Sequence, residues 1–169
     1  MKTTPTIADE ISDGLNNDQR TRVVEILTSV LSNQHVLYIK LRNFHWNLKG
    51  PRFHSLHEFF EQLYGGLEKA IDETAERIRM LGGVAPGSME EFLEHASLKE
   101  AAGAITNGDD AISTLVTDQE AVIRDLREFA KETEEECEDQ ATGDFLVELL
   151  QQHVSDAWML RSFRSEDES

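Results

Sequence analysis

The sequence predicts an all-α protein: four long helices in a bundle, with a short helix in the long crossover between helices 2 and 3. Three observations predict this fold. Only three of the 169 residues are proline, and the helix-favouring residues Leu, Glu and Ala are abundant. Apolar residues recur at intervals of three, four and seven along four separate segments. No segment shows the alternation of apolar and polar residues that indicates a strand.

The first helix is predicted to follow a flexible N-terminal tail, residues 1–16. Asn17 or Asp18 can cap this helix, which we expect to run to about Lys49, where Gly50-Pro51 ends it. Its apolar stripe also carries a histidine, and its members are Leu27, Leu31, Tyr38, Leu41 and His45.

The second helix is predicted from about Phe53 to Leu81, with Gly82-Gly83 as its stop signal. One face is apolar and should pack in the core: Leu56, Phe60, Leu63, Leu67, Ala70, Thr74, Ile78 and Leu81. A neighbouring stripe is polar: His57, Glu61, Gly65, Glu68, Asp72 and Glu76.

The connection after the second helix has about 25 residues, which is too long for a structureless loop inside a compact domain. A short helix capped by Ser88, from Met89 to Glu94, is predicted within it. The third long helix should span about Asp109 to Cys137. Its apolar positions, like those of the helix after it, recur at helical spacing.

The fourth long helix is predicted to begin near Thr142, with an apolar pattern of Leu146, Leu149, Val154, Ala157, Trp158 and Leu160. An acidic tail, residues 165–169, follows the bundle, which we assign to residues 17–164. Two helical pairs joined by one long crossover have the connectivity of a ferritin-like four-helix bundle.

The formal net charge is -17, from 33 acidic and 16 basic residues. Such a chain repels nucleic acid and acidic membranes and attracts cations, although the acidity alone is also typical of a solvated, solubility-promoting surface. No apolar run is long enough for a membrane span, and no signal-peptide core is visible, so we expect a cytoplasmic protein. The single cysteine, Cys137, lies among glutamates that should raise its pKa, which argues against a redox role.

Five side chains form a candidate metal site: His45, His57, Glu61, Asp72 and Glu76. Imidazoles and carboxylates together suit iron, zinc and manganese. His57 and Glu61 lie one helical turn apart, and Asp72 and Glu76 repeat this spacing. However, Glu61 and Asp72 are separated by roughly 16 Å along a straight helix, whereas metal–ligand bonds measure about 2 Å. One chain therefore cannot complete the site.

The two pairs on the second helix, His57 with Glu61 and Asp72 with Glu76, are mirror images about a point between Gly65 and Gly66. Two copies of this helix packed antiparallel would place His57 opposite the partner's Glu76, and Glu61 opposite the partner's Asp72. Two glycines inside a helix cost about 1 kcal/mol each relative to alanine, and the close approach of another helix is one reason for them.

Structural alternatives stay open for each of these residues. The acidic residues can simply face solvent, and His45 on an apolar stripe can be a hydrogen-bonded core histidine. The glycines can accommodate Tyr64 or a helix of the same bundle.

Other candidates are weaker. His54, three residues before His57, is either an additional ligand or a surface histidine. Trp46 is either an interface aromatic or an electron donor beside an oxidising iron site. The remaining histidines, His35, His95 and His153, are interpreted as packing or surface groups.

The stretch Asn43–Gly50, followed by Phe53, His57 and Glu61, then by Asp72–Arg77 and Leu81–Gly83, closely resembles the Dps family. These DNA-protection-during-starvation proteins are also called mini-ferritins. The resemblance in helix layout covers nearly the whole chain. It implies a spherical homo-dodecamer with a hollow core, built from two-fold dimers, which oxidises ferrous iron with hydrogen peroxide in preference to oxygen and stores ferric mineral.

By position, the resemblance implies that His45, His57 and Glu61 bind iron from one subunit, and Asp72 and Glu76 from its two-fold mate. Glu61 stands where many family members have Asp, which leaves the exact coordination open. Glu68 is a further candidate for binding metal on the inner wall. Zinc or another divalent cation is a possible substitute for iron.

The family name also implies DNA binding, for which members commonly use a lysine-rich tail. Here the first sixteen residues carry one lysine, Lys2, and three acidic residues. Electrostatics therefore predicts weak or no direct DNA binding. Two rival functions remain: a nucleoid-associated DNA-binding protein with secondary iron binding, and a structural bundle whose histidines are ordinary.

Overall fold

The computed structural model describes residues 11–164, which form five helices. They are α1 (Asn17–Asn47), α2 (Phe53–Met80), α3 (Met89–His95), α4 (Gly108–Glu135) and α5 (Gln140–Ser162). α1 packs along α2 and α4 along α5, while α3, in the crossover, covers α1. The predicted all-α bundle with a short helix between its two pairs is confirmed. Residues 1–10 of the predicted N-terminal tail and the whole C-terminal tail lie outside the described residues.

The start of α1 differs from its predicted cap. Neither Asn17 nor Asp18 caps the helix; Asn16 does, because its side-chain oxygen accepts a hydrogen bond from the backbone N–H of Gln19. The Gln19 side chain in turn accepts from the backbone N–H of Asn16, which completes a capping box. This reciprocal pair satisfies two backbone donors, so the first of three adjacent polar residues becomes the cap.

The shorter helix α3 begins as predicted, and α5 begins earlier. Ser88 caps α3 in a second capping box, with Glu91 as its partner. At α5 the carboxylate of Asp139 accepts from both the backbone N–H and the hydroxyl of Thr142. The helix therefore starts at Gln140 rather than near Thr142.

The two faces predicted for α2 are present. All of its predicted core positions are buried except Ala70, which is partly buried. The neighbouring polar stripe lies on the outside, with only His57 partly covered. On α5 two residues of the predicted apolar pattern do not face the core of the chain, since Val154 is 40% and Trp158 is 61% exposed. Each lies one position beyond a buried residue, so each is turned by about 100° from the core-facing stripe.

Two buried basic side chains, Arg20 and Lys40, are paired with carboxylates. Arg20, almost fully buried, forms a 2.5 Å ion pair with Asp13 and also donates to the backbone carbonyls of Ile11 and Leu15. Residues 11–15 are thereby held against the start of α1. Lys40 and Asp118 form a 2.6 Å ion pair that joins α1 to α4. Such pairs need their partners, since removing one would leave an uncompensated buried charge.

Cys137 is buried, and burial is the main cause of the raised pKa of its thiol, with the charge of Glu132 adding to it. The raised pKa is as predicted, although neighbouring glutamates are the smaller cause. Among residues 11–164, no helix is long and apolar enough to cross a membrane.

His153 is a buried titratable group in the centre of the bundle. Its ring Nδ1 lies 2.5 Å from Oε1 of Gln119, and burial lowers the pKa of His153 to about 4. As the pH falls below 6.5, His153 becomes protonated in the unfolded chain, whereas in the folded chain it stays neutral until about pH 4. The contribution of neutral His153 to the free energy of unfolding is therefore fully present above pH 6.5 and is lost as the pH falls through about 4.

We expect His153→Gln to remove this pH dependence, which amounts to about 3 kcal/mol of unfolding free energy. Guanidinium unfolding of wild type and variant between about pH 7 and pH 4 measures it. The carboxylates titrate in both proteins, so the difference between the two curves isolates His153. A difference that stays constant across this pH range would contradict the prediction.

Candidate metal centre

His45 and His57 are brought face to face where the end of α1 meets the start of α2. Their rings stack with centroids 3.7 Å apart and an interplanar angle of 16°. The Nδ1 of His45 lies 2.8 Å from the backbone carbonyl of His57, and the Nδ1 of His57 lies 2.9 Å from that of His45. Since a carbonyl only accepts, both Nδ1 atoms carry the proton. In the neutral rings each Nε2 therefore keeps its lone pair, the state required of a metal ligand.

The alternative that His45 is a hydrogen-bonded core histidine is confirmed, but it does not exclude a ligand role. His45 is buried, with 7% of its surface exposed, and it is hydrogen-bonded. That bond uses Nδ1 alone. Hydrogen-bonding a histidine through one nitrogen orients the other, so a structural role and a ligand role are compatible in this ring.

Glu61 lies one turn beyond His57 and is exposed. The hydroxyl of Tyr64 donates to Oε1 of Glu61 at 3.4 Å, and the Tyr64 ring meets His45 edge-on at 5.2 Å between centroids. Desolvation and the charge of Glu61 raise the pKa of Tyr64, so its hydroxyl remains a donor. This weak bond orients Glu61 and leaves its second oxygen available to a cation.

The remaining predicted ligands lie farther along the same outer stripe of α2. The stripe carries four exposed carboxylates: Glu61, Glu68, Asp72 and Glu76. Within the described part of the chain, none of the four forms an ion pair. Four carboxylates without an ion-pair partner on one face attract cations. Nevertheless, residues 11–164 contain no group of three or more His, Cys, Asp or Glu side chains that could hold a metal ion.

The glycine pair at the mirror point faces open space. Gly65 and Gly66 are exposed, and a Cβ built on either would meet no atom within 4 Å. Among the described residues, a Cβ on Gly66 meets neither Tyr64 nor another helix, and a Cβ on Gly65 meets no atom beyond its chain neighbours and the backbone of its own helix. Among residues 11–164, accommodation of another helix of the same bundle is therefore not the reason for the glycine pair.

Trp46 and His54 lie at the edge of the site. Trp46 is 63% exposed, and the Arg42 guanidinium lies 5.0 Å from its ring centroid. Arg42 also faces the ring of Tyr64, so cation–π contacts connect Trp46 to the surroundings of Glu61. The imidazole of His54 is highly exposed and lies 3.6 Å from a carboxylate oxygen of Glu58. The structure brings His54 to this carboxylate, not into the stacked histidine pair.

His35, which the sequence suggests is a packing or surface residue, does pack against another ring, and it also lies beside two of the predicted metal ligands. Its ring stacks on Phe92 of α3, and its Nδ1 lies 3.0 Å from the backbone carbonyl of Leu31. It lines one groove together with Asp72 and Glu68. Burial lowers the pKa of His35. The sequence could have predicted this position, because in an antiparallel hairpin that pairs the end of α1 with the start of α2, His35 lies level with the middle of α2.

Comparison with known proteins identifies the family. Residues 24–168 match the ferritin-like domain model named Ferritin. The DNA protection during starvation protein 2 of Bacillus anthracis is 38% identical over 142 residues, covering 84% of this chain and 96% of that relative. The chain belongs to the Dps family of ferritin-like proteins.

Two further comparisons show how far the likeness extends. An uncharacterized low temperature-induced protein of Nostoc is 43% identical over 153 residues, covering 90% of this chain and 86% of that relative. The crystal structure of a Dps protein from Vibrio cholerae, described as a member of a broad superfamily of ferritin-like diiron-carboxylate proteins, superposes with a TM-score of 0.86 at 28% identity. That superposition covers 94% of this chain and 98% of the Vibrio chain. Family membership thus extends over nearly the whole bundle.

Proposed function

We propose that the protein is a ferroxidase and iron store, which oxidises Fe(II) with hydrogen peroxide and holds ferric mineral inside a dodecameric cage. The observation that carries this proposal is the stacked His45–His57 pair, with both Nε2 atoms free, beside a stripe of unpaired carboxylates. The Vibrio relative's description as a diiron-carboxylate protein supports iron as the metal. A mixed nitrogen and oxygen ligand set also suits ferrous iron, with zinc as a substitute.

The proposed site is shared between two subunits. His45, His57 and Glu61 come from one subunit, and Asp72 and Glu76 come from its two-fold mate. Two α2 helices crossing antiparallel at Gly65 and Gly66 would bring these halves together, and the open space at both glycines supports such an approach. An isologous contact of this kind makes two equivalent sites per dimer.

The proposed chemistry is a two-electron reduction of peroxide. Two ferrous ions give one electron each, the O–O bond breaks, two protons are taken up, and two water molecules form. Because both electrons reach one peroxide, no hydroxyl radical is released. The carboxylates favour the more highly charged ferric product, and Glu68 is a proposed contact for mineral. Trp46, beside His45, is the proposed electron donor when an oxidising equivalent is left over.

One experiment tests this function: load the metal-free protein with ferrous iron anaerobically, add peroxide, and count the iron oxidised per peroxide and per chain. We expect about two ferrous ions per peroxide and continued oxidation into a soluble ferric product. A His45→Ala variant should lose most of the rate, whereas His54→Ala, which changes an exposed histidine outside the stacked pair, should keep it. Wild-type oxidation that stops at stoichiometric iron, or an unaffected His45→Ala variant, would contradict the proposal.

Direct DNA binding is the alternative function, suggested by the name of the Bacillus relative. The net charge of -17 opposes it, because phosphate contacts need lysine and arginine. We also propose a cytoplasmic location, because a single free, buried cysteine is consistent with a reducing compartment.

A further inference from the structure

We propose that His35 is a metal ligand, which binds a second divalent cation together with Asp72 of its own chain and the partner's Glu61. This inference rests on the shared site proposed above and extends it. The second cation would lie beside the first, on the other side of Asp72.

The His35 ring is held in a fixed orientation. Its Nδ1 is held by a backbone carbonyl, that of Leu31 at 3.0 Å, and its ring is stacked at 3.7 Å on Phe92. His45 and His57 are held in the same way, each by a backbone carbonyl at Nδ1 and by a stacked ring at 3.7 Å. In all three histidines the proton is on Nδ1, and Nε2 is the free nitrogen. A histidine oriented through one nitrogen is a ligand prepared at the other.

His35 also lies beside carboxylates. His35 lines a groove of about 700 Å³ with Gly65, Glu68 and Asp72. Lys69 lines it too, but its ammonium lies 3.3 Å from a carboxylate oxygen of Glu73, and neither Glu68 nor Asp72 has an ion-pair partner among residues 11–164. Stacking on Phe92 explains the position of the ring but not the unpaired carboxylates beside it. A neutral imidazole and carboxylates in one groove are the ligand types of iron, zinc and manganese.

The groove is too open for the residues of one chain to enclose a cation. It is far larger than an ion requires, and Gly65 forms part of its wall, where an added Cβ would meet no atom within 4 Å. A second α2 helix crossing at Gly65 would cover the groove. The mirror spacing then places the partner's Glu61 opposite Asp72, so Asp72 has the partner's histidine pair on one side and its own His35 on the other. Carboxylate ligands have two oxygens and can serve both cations.

Zinc, which does not change its oxidation state, is the probe for the test. Equilibrium dialysis of the assembled, metal-free protein should show two tightly bound Zn²⁺ per chain in wild type. His35→Phe keeps the ring that stacks on Phe92 and removes both nitrogens, and we expect it to lose one of the two. His57→Ala should lose the other. His95→Gln, a histidine at the end of α3, is the matched control and should keep both.

The outcomes separate the two proposals. If His35→Phe binds as much zinc as wild type while His57→Ala loses one equivalent, the role of His35 is overturned and the shared site stands. If His57→Ala also binds as wild type, both proposals fail. Should His35→Phe not assemble, His35→Gln replaces it with the same expected loss. Anomalous diffraction from zinc-soaked crystals gives an independent readout: a peak about 2.0–2.1 Å from Nε2 of His35 supports the proposal, and a first zinc site without such a peak overturns it.

Discussion

Co-assembly of two inactive variants, His57→Ala and Asp72→Ala, is expected to restore about a quarter of the wild-type rate of iron oxidation, because the proposed site takes residues from both subunits of an isologous dimer. Each variant alone should lose at least about 100-fold, since even the loss of a residue that only supports a ligand costs roughly 10–100-fold. In a mixed dimer one site contains both substitutions, and the other contains neither. Random pairing makes half of the dimers mixed, so one site in four is intact.

A matched pair of variants provides the control. His57→Ala and Glu61→Ala remove ligands that belong to the same half of the site, so every site in their mixed dimers still lacks one ligand. Their co-assembly should restore nothing. Stopped-flow absorbance of the ferric product, after peroxide is added to anaerobically loaded protein, measures both pairings and each variant alone. Equal recovery in both pairings, or recovery in neither, would refute a site shared in this way.

The second large effect concerns assembly. We expect Gly65→Leu to leave the subunit folded and to prevent the two-fold contact. Among residues 11–164, a Cβ at this position meets no atom within 4 Å beyond its chain neighbours and the backbone of its own helix, and replacing a glycine inside a helix stabilises that helix by up to about 1 kcal/mol. A second α2 helix crossing at the same point would instead collide with the new side chain, because close helix contacts depend on small residues there.

Sedimentation velocity and far-ultraviolet circular dichroism distinguish these effects. The variant should keep its helical signal and should sediment as a smaller species than wild type, with iron oxidation lost. Glu128→Leu adds the same apolar side chain at an exposed position of α4 and should assemble normally. A Gly65→Leu variant that assembles as wild type would show that the two-fold contact lies elsewhere on the chain.

Local patterns make most of the fold predictable. The apolar and polar stripes of α2 lie where a period of 3.6 residues places them, since the side chains of a helix have fixed directions. Helix ends are less well determined: Asn16, Asn17 and Asp18 are all good caps, and the reciprocal bond to Gln19 selects the first. Val154 and Trp158 belong to the apolar pattern of α5, yet both are exposed, because apolar character alone does not show which way a residue faces.

The sequence by itself therefore determined the set of helices and the separation of Glu61 and Asp72 along α2, which is too large for one cation to bind both from one chain, because spacing along a helix is a local quantity. Only the tertiary structure decided the rest. The reciprocal hydrogen bonds that free Nε2 of His45 and His57, and the groove that His35 shares with Asp72, join residues of α1 to residues of α2. Their geometry depends on how the two helices pack against each other, and side-chain contacts between helices are not encoded in the periodicity of either one.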